Sequence, residues 1–171
     1  MSESTYRLLV VEDEAVVALD IEERLRRLGY QVVGVADSYA DALEQAARQN
    51  PDLVLMDISL RDERDGIEAA ERLRAELGIP VVFLTAFADP ATLERAKRVS
   101  PYGYICKPFD ERDLRTTVEI ALHRNGVDQA IRRSHEDLLA ILDVQRAGIL
   151  LLDAGGVVRF KDIGEAVLGP D

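Results

Sequence analysis

Five short apolar runs punctuate the first 106 residues: Tyr6–Val11, Gln31–Ala36, Leu53–Met56, Pro80–Leu84 and Tyr102–Cys106. The middle ones are continuously apolar and do not alternate, the pattern of strands covered by helices on both faces of a parallel sheet. Between the runs, apolar residues recur at helical spacing. Val16, Leu19, Ile21, Leu25 and Leu28 mark a helix from Ala15 to Leu28 that stops at Gly29, a frequent C-cap residue. Asp37 or Ser38 caps a second helix, Tyr39 to Arg48, with Ala42, Leu43, Ala46 and Ala47 inward. A third opens at Asp65-Gly66, runs through Ile67, Ala70, Leu73 and Leu77, and closes at Gly78. Asp89-Pro90 opens a fourth, to about Val99, with proline at its favoured first position. Asp110 begins a fifth, to about Arg124.

Strands alternating with helices in this way predict an α/β fold, a doubly wound five-stranded parallel sheet. Right-handed crossovers make 2-1-3-4-5 the natural strand order, with a switch point between strands 1 and 3. Ligands of such sheets bind beyond the carboxyl ends of the strands. Those ends carry Glu12 and Asp13 (strand 1), Asp57 (strand 3), Thr85 (strand 4) and Lys107 (strand 5). Three crowded carboxylates repel one another unless a cation joins them. A hard divalent ion with oxygen ligands meets that need, and Mg²⁺ takes one or two carboxylates while keeping several waters. With Lys107 and the Thr85 hydroxyl, the set suits a phosphoryl group whose charge must be neutralised during transfer. Asp57, lying centrally, is the candidate nucleophile, and its product would be an acyl phosphate.

Val10-Val11-Glu12-Asp13-Glu14, Leu55-Met56-Asp57, Asp65-Gly66, Leu84-Thr85-Ala86 and Lys107-Pro108-Phe109 occur in the order and spacing of one known family. Residues 6–124 resemble a receiver domain of the bacterial two-component response regulators, the flavodoxin-like receiver fold. The resemblance implies Asp57 as phosphoacceptor and Mg²⁺ held by Asp13, Asp57 and the backbone carbonyl of Ser59, with Glu12 in support. It implies that Thr85 and Lys107 contact the phosphoryl group, that Tyr104 is a switch aromatic moving inward as Thr85 shifts, and that Lys107–Pro108 is cis. It further implies a sensor histidine kinase or phosphotransfer protein as partner, and self-phosphorylation with slow autodephosphorylation in place of enzymatic turnover. Two features depart from the family pattern. The loop from Asp57 to Gly66 is one residue longer than the commonest form, lacks its proline and is heavily charged through Arg61, Asp62, Glu63 and Arg64. Phe87, two residues after Thr85, is bulky enough to slow access of water to the acyl phosphate. An Asp-nucleophile phosphohydrolase is the runner-up, but its pattern places the nucleophile after the first strand with a second Asp two residues on, where this chain has Ser59. A flavin-binding domain would need a phosphate-cradling loop where Glu12-Asp13-Glu14 stands. A scaffold that is never phosphorylated fits poorly with an intact acidic and basic site.

Gly126-Val127 is read as a break before a linker helix, about Asp128 to Gln145, whose Ile131, Leu138, Ile141 and Leu142 form a short seam with Ser134 and Gln145 at the same spacing, which fits either a coiled coil of barely two heptads or a helix packing on whatever follows it. Ser134-His135-Glu136 is superficially similar to the phosphoacceptor box of histidine kinases but lacks its downstream Arg and Pro. Gly148–Leu152 and Val157–Phe160 flank Asp153-Ala154-Gly155-Gly156 as a hairpin. The segment Gly148–Gly169 resembles the opening of a PAS sensor domain, a fold that needs far more chain than this. The expected organisation is therefore a receiver domain over 1–125, a linker helix over 126–146 and a partial PAS-like segment over 147–171. The parent protein would be longer and could carry a kinase or other catalytic output. The fourth helix, fifth strand and fifth helix, with the linker helix, offer a face for a homodimer.

Composition narrows the partners. A net charge of −11 argues against nucleic acid or anionic membrane as a partner. No apolar run approaches the ~18 residues of a membrane span, and the first five residues lack the character of a secretory leader. The single cysteine, Cys106, suits a reducing compartment, and cytoplasmic residence is expected. Cys106 itself is read as a small packing residue, and His123 as a group complementing the C-terminus of the fifth helix.

Overall fold

The computed structural model describes residues 5–61, 63–86, 89–146, 150–153 and 156–159, with side chains described as far as residue 139. Its elements follow the chain as β1 (Arg7–Val11), α1 (Ala15–Arg27), β2 (Gln31–Ala36), α2 (Tyr39–Gln49), β3 (Leu53–Asp57), α3 (Gly66–Arg72), β4 (Val81–Thr85), α4 (Pro90–Arg98), β5 (Gly103–Cys106) and α5 (Glu111–Arg146), then β6 (Leu150–Asp153) and β7 (Gly156–Arg159). A π-helical turn, Leu73–Leu77, prolongs α3 and ends at Gly78 in the left-handed region (φ 66°).

The chain divides into two compact units, Met1–Asn125 and Gly126–Asp171. In the first, five parallel strands lie in the order β2-β1-β3-β4-β5. Side chains alternate across the sheet, so each apolar strand supplies two cores. Leu9, Val11, Val54, Met56, Val81 and Phe83 pack against Tyr39, Ala42 and Ala46 of α2 and Ile67, Ala69 and Ala70 of α3. Leu8, Val10, Leu53, Leu55, Val82 and Leu84 pack against Ile21 and Leu25 of α1 and Leu114, Val118, Ala121 and Leu122 of α5. This double burial explains the unbroken apolar runs.

The caps fall where the sequence placed them. Ser38 Oγ accepts from Asp41 N–H, Asp65 from Glu68 N–H, and Asp89 from Ala91 and Thr92 N–H. Asp110 and Asp113 cap α5 reciprocally, Asp113 N–H donating to Asp110 Oδ1 at 2.8 Å.

Four expectations are corrected. Val16 and Leu19 are exposed, at 82% and 55%, and the buried residues of α1 are Ala18, Ile21 and Leu25. Ala47 is also exposed. Cys106 is exposed, because it falls on the last position of β5, on the edge of the sheet. Helix α5 passes through Gly126 unbroken to Arg146, so His123 lies within the helix and not at its end. One glycine costs a helix only ~1 kcal/mol against alanine, and no proline or further glycine follows it before the helix ends at Arg146.

In the second unit β6 and β7 pair antiparallel, Leu150 opposite Arg159 and Asp153 opposite Gly156. The rest of the segment to Gly169, and Phe87, lie outside the described residues. No described helix is long and apolar enough to cross a membrane.

Candidate functional site

Parallel pairing sets Val11 beside Met56, so that Glu12 and Asp13 leave β1 next to Asp57 at the end of β3. Glu12 is anchored where β1 ends: its N–H donates to Ala36 O of β2, and its carboxylate accepts from Glu14 N–H at 3.2 Å. Ile58 N–H bonds Leu84 O, and Gly66 N–H bonds Ile58 O at 3.1 Å, holding both sides of the Asp57 loop. Thr85 O accepts from Lys107 N–H at 2.7 Å, which places Lys107 over the site from the β5 side. Lys107–Pro108 is cis.

These constraints bring the carboxylates of Glu12, Asp13 and Asp57 together, with one oxygen of each lying within 4.8 Å of the others. Glu12, Asp57 and Thr85 are the buried polar residues among those described, at 1%, 6% and 6% exposure. Lys107 Nζ donates to Glu12 Oε2 and to Asp57 Oδ2, each at 2.6 Å. Ser59 N–H donates to the other Asp57 oxygen at 2.8 Å. Burial pushes the Glu12 carboxyl above the usual carboxylate range, more than the hydrogen bond from Lys107 draws it down; the charge of Asp57 adds to the rise. Burial on its own would lower the Lys107 ammonium, but the hydrogen bonds to Asp57 and Glu12 and their charges together raise it. Lys107 is therefore cationic at neutral pH.

Asp13 Oδ2 is sealed from solvent and has no hydrogen-bond partner among the described residues. Arg61 Nε approaches it to 3.0 Å as an ion pair without the alignment of a hydrogen bond. Three clustered carboxylates with one oxygen left unsatisfied are the donor set of a hard divalent cation such as Mg²⁺. The site residues read from the sequence thus converge: Glu12, Asp13, Asp57, Ser59 and Lys107 are linked by contacts, and Thr85 adjoins them through its backbone. Tyr104, on β5, packs its ring on Phe83 with centroids 5.9 Å apart, and its hydroxyl is buried without a partner among the described residues. Burial raises that phenol above its ordinary value.

Two contributors escaped the sequence reading of roles. A Cβ on Gly66 would lie 1.8 Å from Asp57 O and 3.0 Å from Met56 Cγ, so Gly66 sets how closely α3 approaches the acceptor strand. The available signal was glycine, a poor helix former, at the first position of a helix. Arg61 stands four residues beyond Asp57 in an irregular loop, where no periodicity points to Asp13.

Residues 8–119 match the model of the response regulator receiver domain. The transcriptional regulatory protein PdtaR of Mycobacterium tuberculosis is 41% identical over 118 residues, 69% of this chain and 57% of PdtaR, so the chain spans little more than half the length of that relative. Among solved structures, the signal receiver domain of a modulated diguanylate cyclase from Desulfovibrio desulfuricans superposes with a TM-score of 0.70 at 38% identity, covering 73% of this chain and 99% of that one. The N-terminal domain of a response regulator/sensory box/GGDEF three-domain protein from Carboxydothermus hydrogenoformans gives 0.66 at 37% identity, covering 71% and 98%.

Proposed function

Because the chain belongs to the response regulator receiver family, a family of phosphoacceptor signalling domains rather than classical enzymes, we propose that Asp57 is the residue that accepts the phosphoryl group. The donor is a phosphohistidine of a sensor histidine kinase or phosphotransfer protein. An Asp57 oxygen forms the new P–O bond, the P–N bond breaks, and the imidazole leaves as a neutral ring that keeps the proton on its other nitrogen. The observation that carries this reading is Lys107 bridging Glu12 and Asp57 at 2.6 Å each, a fixed cation beside a buried carboxylate at the sheet's switch point. Asp13, Asp57 and the Ser59 carbonyl, with Glu12 in support, would hold Mg²⁺, which offsets charge on the transferring oxygens. Lys107 and the Thr85 hydroxyl then bind the phosphoryl oxygens. Tyr104, whose buried hydroxyl has no hydrogen-bond partner among the described residues to hold it, serves as the switch that moves with Thr85.

The receiver occupies 1–125, the part of α5 from 126 to 146 serves as the linker, and a PAS-like start occupies 147–171. The paired β6 and β7 and the sensory box named in the Carboxydothermus protein support that order. Residence in the cytoplasm belongs to the same reading. A homodimer forms through the α4–β5–α5 face and the linker helix, whose Ile131 and Leu138 are 63% and 57% exposed. Neither nucleic acid nor membrane is a partner of this segment, in keeping with its net charge of −11.

Intact mass after exposure to Mg²⁺ and acetyl phosphate tests the proposal. One labile phosphoryl group is expected on the wild type, with none on Asp57→Asn and none in excess chelator. A wild-type protein that stays unmodified while folded would sink the reading.

A further inference from the structure

Among the described residues two cations reach the acidic cluster, and they are held differently. Lys107 is 20% exposed and makes two short, directed bonds. Arg61 is 76% exposed and meets Asp13 Oδ2 at 3.0 Å by charge alone, since that oxygen takes part in no hydrogen bond among the described residues. Exposed, unaligned ion pairs of this kind are weak and screened by salt. The Asp13 carboxylate on the other side of the pair is only 10% exposed, so water does not readily replace what Arg61 supplies. The neighbouring Arg64 is engaged elsewhere: it donates to Tyr39 Oη at 3.0 Å, stacks over the Tyr39 ring and lies 4.0 Å from Glu68.

The charges explain why such an arrangement would exist. Glu12, Asp13 and Asp57 carry three negative charges against the positive charges of Lys107 and Arg61, leaving one in excess. A divalent cation in place of Arg61 brings the same cluster to neutrality. Among the described residues Asp13 Oδ2 is also the one buried carboxylate oxygen of the cluster that lacks a hydrogen bond, and so the oxygen most in need of a metal.

We propose that Arg61 is the exchangeable counter-ion of Asp13: it pairs with Asp13 in the metal-free protein and is released to solvent when Mg²⁺ binds. This rests on the reading of the acidic cluster as a Mg²⁺ site and adds a residue that sets its affinity. Metal binding is then a competition, weaker than the three carboxylates alone would give. It also frees a cationic side chain on the β3–α3 loop at the moment the site becomes competent for phosphoryl transfer.

Calorimetric titration with MgCl₂ alone, at neutral pH and low salt, compares wild type, Arg61→Gln and Arg64→Gln, with folding of each checked by circular dichroism. Arg61→Gln is expected to bind Mg²⁺ about two- to five-fold more tightly, the range an exposed ion pair supplies. Arg64→Gln removes the same charge from the same loop without touching Asp13 and should match the wild type. Equal or weaker binding by Arg61→Gln, or equal tightening by Arg64→Gln, overturns the exchange while leaving the metal site standing. Absence of Mg²⁺ binding in all three overturns both.

Discussion

Gly66 shows how little freedom surrounds the acceptor. Its position 1.8 Å (to an added Cβ) from the Asp57 carbonyl oxygen means that Gly66→Ala must move backbone against backbone. Overpacking of this kind costs about 1–3 kcal/mol, so urea unfolding of Gly66→Ala should show a loss in that range together with slower phosphorylation at Asp57. Glu12 supports a prediction of opposite sign. Its carboxyl is raised in the folded chain, first by burial. A group raised on folding favours the native state fully below its unfolded value, near pH 4.5, and that contribution is lost as pH rises through the folded value. At neutral pH the charged Glu12 therefore costs stability. With chelator present, Glu12→Gln should melt at a higher temperature than the wild type at pH 7, and the gap should close below about pH 4.5. An unchanged difference across that window would contradict the assignment. At this scale the site's acids, hydroxyl and lysine were legible, because each stands at the end of an apolar run. Gly66 and Arg61 were not, since their importance lies in contacts across a loop of irregular geometry.

Strands were the most readable elements. Burial on both faces leaves an apolar run with few alternative explanations, and the observed β1, β3 and β4 match those runs. Helix existence was equally clear, but the inward face of α1 was misjudged: Ala18 packs inside while the larger Val16 and Leu19 face outward. A small residue can fill a tight helix–sheet contact that a hydrophobicity count overlooks. The end of α5 was misread for a related reason. Gly126 looks like a stop, yet an added Cβ there would meet nothing within 4 Å, so its backbone is neither strained nor closely approached. Gly126→Ala should accordingly stabilise the helix by up to ~1 kcal/mol, seen as slower amide exchange around residues 122–130 and unchanged or greater helicity by circular dichroism. Lower helicity would show that the chain uses Gly126 as a bend.

For the whole molecule, topology does most of the work. Strand order 2-1-3-4-5 sets β1 beside β3 and thereby gathers residues separated by up to 95 positions, Glu12 and Lys107, into one hydrogen-bonded group. The alternation of strand and helix was enough to infer that order, so the site was legible as soon as the fold was. Beyond residue 125 the chain is less readable. The described residues there are the continuation of α5 to Arg146 and one short antiparallel pair, whose register is set by pairing with each other and not by an apolar run buried on both faces. Asp57 as acceptor of the phosphoryl group is a covalent assignment and can be read out chemically. Reduction with borohydride after acetyl phosphate and Mg²⁺ treatment converts an acyl phosphate of aspartate to homoserine, and peptide mapping then locates it. Homoserine at position 57 alone is the predicted result; a reduced side chain at Glu12 or Asp13, or none anywhere in the folded protein, would contradict it.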